Sequence, residues 1–168
     1  QLTGRTVGIV GCGHIGKDLV ALLKPFGCRI LVNDIRNYGE FYAEHGLQSV
    51  ALDDLLATAD IVTLHVPLDR STAGMLDSRR LSLMKRGSVL INAARGGLVD
   101  EAVLKVMLRD GRIAAAAFDV FAGEPPTDME LLVLPNFLAT PHIGGSAYEA
   151  ILAMGRAAID GLDNNSVP

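Results

Sequence analysis

The stretch Thr6-Val-Gly-Ile-Val-Gly-Cys-Gly-His-Ile-Gly16 decides the fold of this chain. It begins with a short apolar run that predicts a strand over 6–10, and it ends inside an amphipathic segment that predicts a helix over 14–23. Between the two lies the spacing G-x-G-x-x-G. Gly11 permits a tight turn, Gly13 lets the backbone approach a pyrophosphate, and Gly16 allows the helix to pack closely on the strand. The stretch therefore predicts a strand, turn and helix that bind a dinucleotide.

An acidic residue at the end of the next predicted strand, 29–34, supports this interpretation. Asp34 follows Gly16 by 18 residues. A carboxylate at this place can accept hydrogen bonds from the ribose hydroxyls of an adenosine and repels a 2′-phosphate, which favours NAD over NADP. Arg36 lies two residues further along the chain, and its positive charge leaves NADP as an alternative cofactor. The alternative is an ordinary glycine turn at a βαβ corner, with Asp34 capping a loop.

Apolar runs alternate with helix-length amphipathic stretches along almost the whole sequence. Further strands are predicted at 61–65, 88–92, 114–120 and 137–140, and further helices at 53–59 (with Asp53 as N-cap), 77–84, 100–109 and 147–162. The longest loop is 122–135. This alternation predicts an α/β fold of the Rossmann type, in which helices cover both faces of a doubly wound parallel sheet. We expect residues 1–168 to form a single dinucleotide-binding domain.

The composition excludes several classes of protein. Of the 168 residues 49% are hydrophobic but only 5% aromatic, which suits buried parallel strands of aliphatic residues. The net charge of −4 argues against a nucleic-acid partner, and no apolar run is long enough to span a bilayer. Cys12 and Cys28 lack metal-ligand spacing, so we expect no metal site and a reducing, cytoplasmic setting. Cys12 is either a redox thiol or, as we expect, a small apolar residue beside the nucleotide.

Three polar residues each follow an apolar run that is predicted to be a strand: Arg95, Glu124 and His142. The carboxyl ends of parallel strands line the ligand crevice, so all three can converge there. A cation for a carboxylate, a histidine for a proton and a carboxylate to tune that histidine are the groups that a dehydrogenase needs. The alternative is that each is structural: a surface cation, a turn cap and a loop-capping histidine.

Five blocks of the sequence, in this order, carry a resemblance to a known family. They are the opening stretch, Leu64-His-Val-Pro67, Leu90-Ile-Asn-Ala-Ala-Arg-Gly-Gly97, Asp119-Val-Phe-Ala-Gly-Glu-Pro125 and Thr140-Pro-His-Ile-Gly-Gly145. Together they resemble the nucleotide-binding domain of the D-isomer-specific 2-hydroxyacid dehydrogenases. The resemblance implies an NAD-dependent oxidoreductase that interconverts a D-2-hydroxy acid and its 2-keto acid. The glycine motif, Ser82-Leu-Met-Lys85 and His142-Ile-Gly-Gly-Ser146 lean toward the 3-phosphoglycerate dehydrogenase branch.

The resemblance also implies roles for individual residues. Arg95 resembles the arginine that holds the substrate carboxylate, His142 the general acid that protonates the carbonyl oxygen, and Glu124 the carboxylate partner of that histidine. Asp119 resembles a residue at the nicotinamide end of the cofactor. The implied cofactor-binding residues are Gly11, Gly13, His14, Ile15, Gly16, Asp34, His65, Val66, Pro67, Thr72, Ala93, Ala94, Arg95, Asp119, His142 and Gly144.

In this family a second, substrate-side domain is built from the flanks of the cofactor domain. We expect both flanks to be absent here, so that the chain alone binds NAD but turns over poorly or not at all. The resemblance further implies a small-molecule 2-hydroxy or 2-keto acid as substrate and a homodimer through this domain, with 100–109 and 129–134 as candidate surfaces. The alternative is an NAD-sensing binding module, like the transcriptional corepressors that share this fold and these motifs.

Overall fold

Seven parallel strands form one sheet at the centre of the computed structural model, which describes residues 1–164. The strands are β1 (Thr6–Val10), β2 (Arg29–Asn33), β3 (Gln48–Ser49), β4 (Ile61–Leu64), β5 (Ser88–Asn92), β6 (Ile113–Phe118) and β7 (Phe137–Ala139). Their order across the sheet is β3-β2-β1-β4-β5-β6-β7, and every neighbouring pair is parallel. The chain therefore starts at the middle of the sheet and winds outward in both directions, which confirms the predicted fold.

Helices connect these strands. They are α1 (His14–Leu23), α2 (Gly39–His45), α3 (Leu52–Thr58), α4 (Ser78–Leu83), α5 (Glu101–Arg109), α6 (Met129–Leu132) and α7 (Tyr148–Asn164). Helix α1 has the predicted bounds. It passes into a short 3-10 turn that contains Pro25, because proline cannot continue the hydrogen-bond ladder of an α-helix.

Strand β1 shows why its sequence is apolar on both faces. Val7 and Ile9 belong to the core that includes Val20 of α1, whereas Val10 belongs to the larger core on the other face of the sheet. Gly8 faces α3, and a β-carbon on it would lie only 2.4 Å from the Leu55 side chain. Helices therefore cover β1 from both sides, as expected for a central parallel strand.

The structure corrects one predicted helix and adds short elements. Asp53 is not an N-cap, because α3 begins one residue earlier and Ala51 holds the cap position. The Asp53 carboxylate instead pairs with Arg79 at 2.8 Å and Arg80 at 3.2 Å. Strand β6 begins one residue earlier than predicted and ends at Phe118. Helix α2, strand β3 and helix α6 were not predicted.

Helix α7 confirms the predicted closing helix, although most of its apolar side chains are exposed, among them Ile151, Met154 and Ile159. Among residues 1–164, no helix combines the length and the apolar character that crossing a membrane requires.

Candidate active site and cofactor site

The glycine motif at the junction of β1 and α1 has three glycines, two of them in the loop and Gly16 in the first turn of α1. A β-carbon on Gly11, where φ is +95°, would lie 2.4 Å from the His65 carbonyl oxygen, and one on Gly16 would lie 2.2 Å from the Gly11 carbonyl oxygen. Nothing lies within 4 Å of the place where a β-carbon on Gly13 would be. Close packing therefore leaves no room for a side chain at Gly11 or Gly16. Gly13 has open space around it, at the N-terminus of α1. This shape fits a pyrophosphate held by the backbone N–H groups of the helix.

Asp34 lies one residue past β2, at the rim of the glycine loop. Its Oδ2 accepts a hydrogen bond of 2.6 Å from the Cys12 N–H, and its Oδ1 accepts one of 2.8 Å from the Arg36 N–H. Arg36 thus contacts the carboxylate through its backbone. The Cys12 side chain is fully buried. This burial is the main cause that raises the pKa of the Cys12 thiol, and the nearby negative charge of Asp34 raises it further. A buried thiol that keeps its proton favours the apolar role over the redox role.

The ends of β4 and β5 meet the start of α1 around a cavity of about 190 Å³. Its lining consists entirely of residues predicted to contact the cofactor: Ile15, His65, Val66, Pro67, Ala93, Ala94 and Arg95. Burial lowers the pKa of His65, whose Nε2 lies 2.9 Å from the Thr63 hydroxyl. Thr72 does not line this cavity. Its hydroxyl donates to the Pro67 carbonyl at 2.7 Å and shapes the loop after β4.

Glu124 and His142, from the loops after β6 and β7, are in direct contact. His142 Nδ1 lies 2.8 Å from Glu124 Oε2, and the Phe121 N–H donates to Glu124 Oε1 at 3.1 Å. The pKa of Glu124 is held below its usual value, mainly by the hydrogen bond with His142 and secondly by the hydrogen bond from the Phe121 N–H. An ionised carboxylate only accepts hydrogen bonds, so Nδ1 carries a proton. Among the described residues, the other ring nitrogen, Nε2, has no hydrogen-bond partner.

Asp119 holds the turn on which His142 lies. Asp119 is only 8% exposed, and its carboxylate accepts hydrogen bonds from the Thr140 hydroxyl (2.5 Å), the Ile143 N–H (2.9 Å) and the Gly144 N–H (2.8 Å). Burial alone raises the pKa of Asp119, but these three donors outweigh it and lower the pKa below its usual value. The donors lie on both sides of His142, whose φ of 54° is in the left-handed region. Asp119 therefore fixes this uncommon backbone conformation.

Arg95 lies on the neighbouring loop, after β5, and is exposed. Asn92 is buried and shapes this loop, since its amide oxygen accepts from the Ala94 N–H at 3.1 Å and its amide nitrogen donates to the Arg95 carbonyl at 2.9 Å. Arg95 itself donates to the Ala94 carbonyl at 2.6 Å.

The structure thus brings Glu124 and His142 together and puts Arg95 one loop away. The pair lines a cavity of about 420 Å³ that is separate from the cavity of Arg95. The two loops meet where Gly96 lies against Phe121, and a β-carbon on Gly96 would overlap the Phe121 carbonyl. Across residues 1–164, no group of three or more His, Cys, Asp or Glu residues is placed to hold a metal ion.

Sequence reasoning missed the residues that hold these loops: Asn92, Gly96, Glu101 and Thr140. Glu101 accepts a hydrogen bond of 2.8 Å from the Ala122 N–H, two residues before Glu124. Only Asn92 offered a signal, because an amide at the end of an otherwise apolar strand must find partners when it is buried. The contacts of the other three arise only from tertiary structure.

The chain belongs to the D-isomer specific 2-hydroxyacid dehydrogenase family, since residues 1–144 match the sequence profile of the NAD binding domain of that family. This membership confirms the predicted resemblance and the predicted cofactor, NAD.

Individual relatives agree with the family. The chain is 42% identical over 150 residues to the D-3-phosphoglycerate dehydrogenase of Mycobacterium leprae, covering 89% of this chain and 28% of that protein. It is 39% identical over 166 residues to the glycerate dehydrogenase of Methylorubrum extorquens, and the match covers 97% of this chain and 50% of that protein. It superposes on the NAD-complexed D-isomer specific 2-hydroxyacid dehydrogenase of Lactobacillus delbrueckii ssp. bulgaricus with a TM-score of 0.84 and 34% identity. This superposition covers 98% of this chain and 55% of that chain. The chain thus spans between about a quarter and about half of each of these proteins.

Proposed function

We propose that this chain is the cofactor domain of an NAD-dependent enzyme that transfers a hydride between NAD(H) and a D-2-hydroxy acid or its 2-keto acid. The observation that carries the proposal is the 2.8 Å contact between Glu124 and His142. This pair lies at the carboxyl end of the sheet, the end where the glycine loop also lies. A proton donor and a dinucleotide site at the carboxyl end of one parallel sheet are what a dehydrogenase needs.

The residues of this chain would handle the proton. In the reductive direction His142 Nε2 gives a proton to the carbonyl oxygen of the keto acid, and in the reverse direction it takes the proton back from the hydroxyl group. Glu124 stabilises the imidazolium form and fixes the orientation of the ring. NAD supplies the hydride donor or acceptor when it is bound.

Arg95 would hold the substrate. Its guanidinium presents parallel N–H donors that match a carboxylate, and two such bonds fix both the position and the orientation of a 2-keto acid. The loop of Arg95 is held by Asn92 and is in contact with the loop of Glu124 at Gly96. This arrangement supports a fixed distance between the carboxylate anchor and the proton donor.

We assign 3-phosphoglycerate as the substrate of the complete enzyme. The support is the 42% identity to the mycobacterial 3-phosphoglycerate dehydrogenase together with the three motifs that lean toward that branch. Glycerate is the second candidate, supported by the 39% identity to the glycerate dehydrogenase, which covers more of this chain. Steady-state rates of the complete enzyme with each acid would separate the two.

The proposal extends to the organisation of the protein. Residues 1–168 form one domain, a second substrate-side domain is needed to close the cleft, and the chain alone binds NAD without appreciable turnover. Two copies associate through the surface that carries Val106, Met129 and Val133, which are 53%, 62% and 70% exposed. Two free cysteines suit a cytoplasmic setting. Sedimentation that shows only monomers at high concentration would remove the dimer.

Calorimetric titration of the chain with NADH and with NADPH tests the core of the proposal. We expect NADH to bind more than tenfold tighter, because Asp34 meets a 2′-phosphate with like charge. Tighter binding of NADPH would contradict the role of Asp34. Binding of neither nucleotide would contradict the proposal as a whole. Turnover by the chain alone at the rate of a complete dehydrogenase would contradict the expectation that this chain needs a second domain for catalysis.

A further inference from the structure

The loop that carries Glu124 is tied to the neighbouring loop by a side chain outside the active site. Glu101, in the first turn of α5, accepts a hydrogen bond of 2.8 Å from the Ala122 N–H. The adjacent Phe121 N–H donates to Glu124 itself. Two consecutive backbone N–H groups therefore donate to two different carboxylates, one remote from the reacting atoms and one in contact with His142.

We propose that Glu101 is a positioning residue that sets the orientation of the Glu124–His142 pair through the backbone of residues 121–122. The inference rests on the proposed function, since a positioning role has meaning only if the pair moves a proton.

The route of the chain supports this proposal. A single segment runs from Arg95 to Glu101, and it meets the Glu124 loop twice. Gly96 lies against the Phe121 carbonyl, and Glu101 binds the next N–H along the chain. The peptide unit between Phe121 and Ala122 is thus held on both sides by the segment that also presents Arg95. One short piece of chain therefore fixes the carboxylate anchor relative to the proton donor.

The start of α5 is well suited to hold Glu101 in place. Asp100 is the N-cap, and its side chain accepts from the Val103 N–H at 3.0 Å. Leu104 and Leu108 anchor the helix in the core. A carboxylate in the first turn is also stabilised by the helix dipole. The acceptor is therefore presented by a rigid element and does not depend on a flexible loop.

Two substitutions separate reach from charge. Glu101→Asp keeps the charge and the helix start but is one methylene too short to reach Ala122, whereas Glu101→Gln loses the charge and keeps an acceptor at the same distance. Glu40→Asp, in the first turn of α2 near the other edge of the sheet, is the matched control. All three variants are measured in the 168-residue chain without substrate, so that a failure of the proposed function does not affect the result.

The readouts are the side-chain carboxyl titration of Glu124, followed by 13C NMR, and the hydrogen-exchange rate of the Ala122 amide. In Glu101→Asp we expect the pKa of Glu124 to move back toward its usual value and the Ala122 amide to exchange roughly fivefold faster. Glu101→Gln and Glu40→Asp should match the wild type in both. Wild-type behaviour of Glu101→Asp, or equal changes in the Asp and Gln variants, would overturn the proposal.

Discussion

The glycine motif at 11–16 and the turn around His142 both lie at the carboxyl end of the sheet, but they are held in different ways. In the glycine loop, backbone packs on backbone, and Gly11 and Gly16 leave no room for a β-carbon. Around His142, a buried carboxylate holds the turn through three hydrogen bonds, and the functional side chains are about half exposed. The two regions should therefore respond differently to substitution. Substitutions in the first region should act on packing, and those in the second on electrostatics.

The largest effect is expected for Gly16→Ala. Its β-carbon would lie 2.2 Å from the Gly11 carbonyl oxygen, and neither the helix nor the loop can move without disturbing the other. We expect the free energy of unfolding to fall by about 3 kcal/mol, as for an overpacked core position. Urea denaturation measures this change.

Gly13→Ala is the control within the same motif. Its β-carbon meets nothing within 4 Å, so the loss of stability should stay below about 1 kcal/mol, while NADH binding weakens more than tenfold because the methyl group occupies the pyrophosphate site. Equal stabilities for the two variants would show that packing does not determine the shape of the loop.

Asp119→Asn tests the hydrogen-bonded region. An amide cannot accept from all three donors, so the free energy of unfolding should fall by about 2 kcal/mol at neutral pH. Because the folded pKa of Asp119 is lowered, the contribution of the wild-type carboxylate is present above its unfolded pKa of about 4 and is lost as the pH falls through the folded value. The difference between wild type and variant should therefore shrink in acid. Denaturation curves from pH 7 to pH 3 measure it, and a constant difference would contradict the assignment.

Asp34→Ala should weaken NADH binding about tenfold, because hydrogen bonds from ribose hydroxyls to a carboxylate are lost. The preference over NADPH should narrow at the same time. Arg36→Ala is the control, since Arg36 contacts Asp34 through its backbone N–H, which alanine retains. Calorimetry of the wild type and both variants with both nucleotides gives six affinities, and an unchanged NADH affinity in Asp34→Ala would remove Asp34 from the site.

The smallest effect on stability is expected for His142→Asn, because the pair is half exposed and asparagine tolerates a left-handed backbone. The pKa of Glu124 should nevertheless rise toward its usual value, since the bond to His142 is the main cause of its lowering. The 13C titration of the Glu124 carboxyl group measures this shift. Identical titration in both proteins would mean that the pair does not form in solution.

The sequence predicted the central part of this molecule well because its strands are buried on both faces and its glycine motif has a fixed geometry. The bounds of β1, β5 and α1 are as predicted, and Asp34 lies at the rim of the loop where the motif predicts it. Glu124 and His142 were predicted as partners from the resemblance, and the structure shows them in contact.

The remainder depends on contacts between segments that are far apart in sequence. The 2.8 Å bond from Ala122 to Glu101 spans 21 residues, and the Asp119 bonds to Ile143 and Gly144 span 24 and 25. No local pattern encodes such pairs. The same reason explains the mistaken cap at Asp53, whose carboxylate finds Arg79 and Arg80 on another helix.

The most direct test of the account is the mapping of NADH binding by backbone amide chemical shifts of the 15N-labelled chain. The account places the cofactor along the carboxyl end of the sheet, from the loop after β2 to the loop after β7. NADH should therefore shift the amides of Gly13, Asp34, Ala94 and Gly144, which lie on four different loops. The Gly13→Ala variant, which remains folded, should show these shifts only at much higher NADH concentration. Shifts confined to other parts of the chain, such as the cavity lined by Cys28 and His45, would contradict the account.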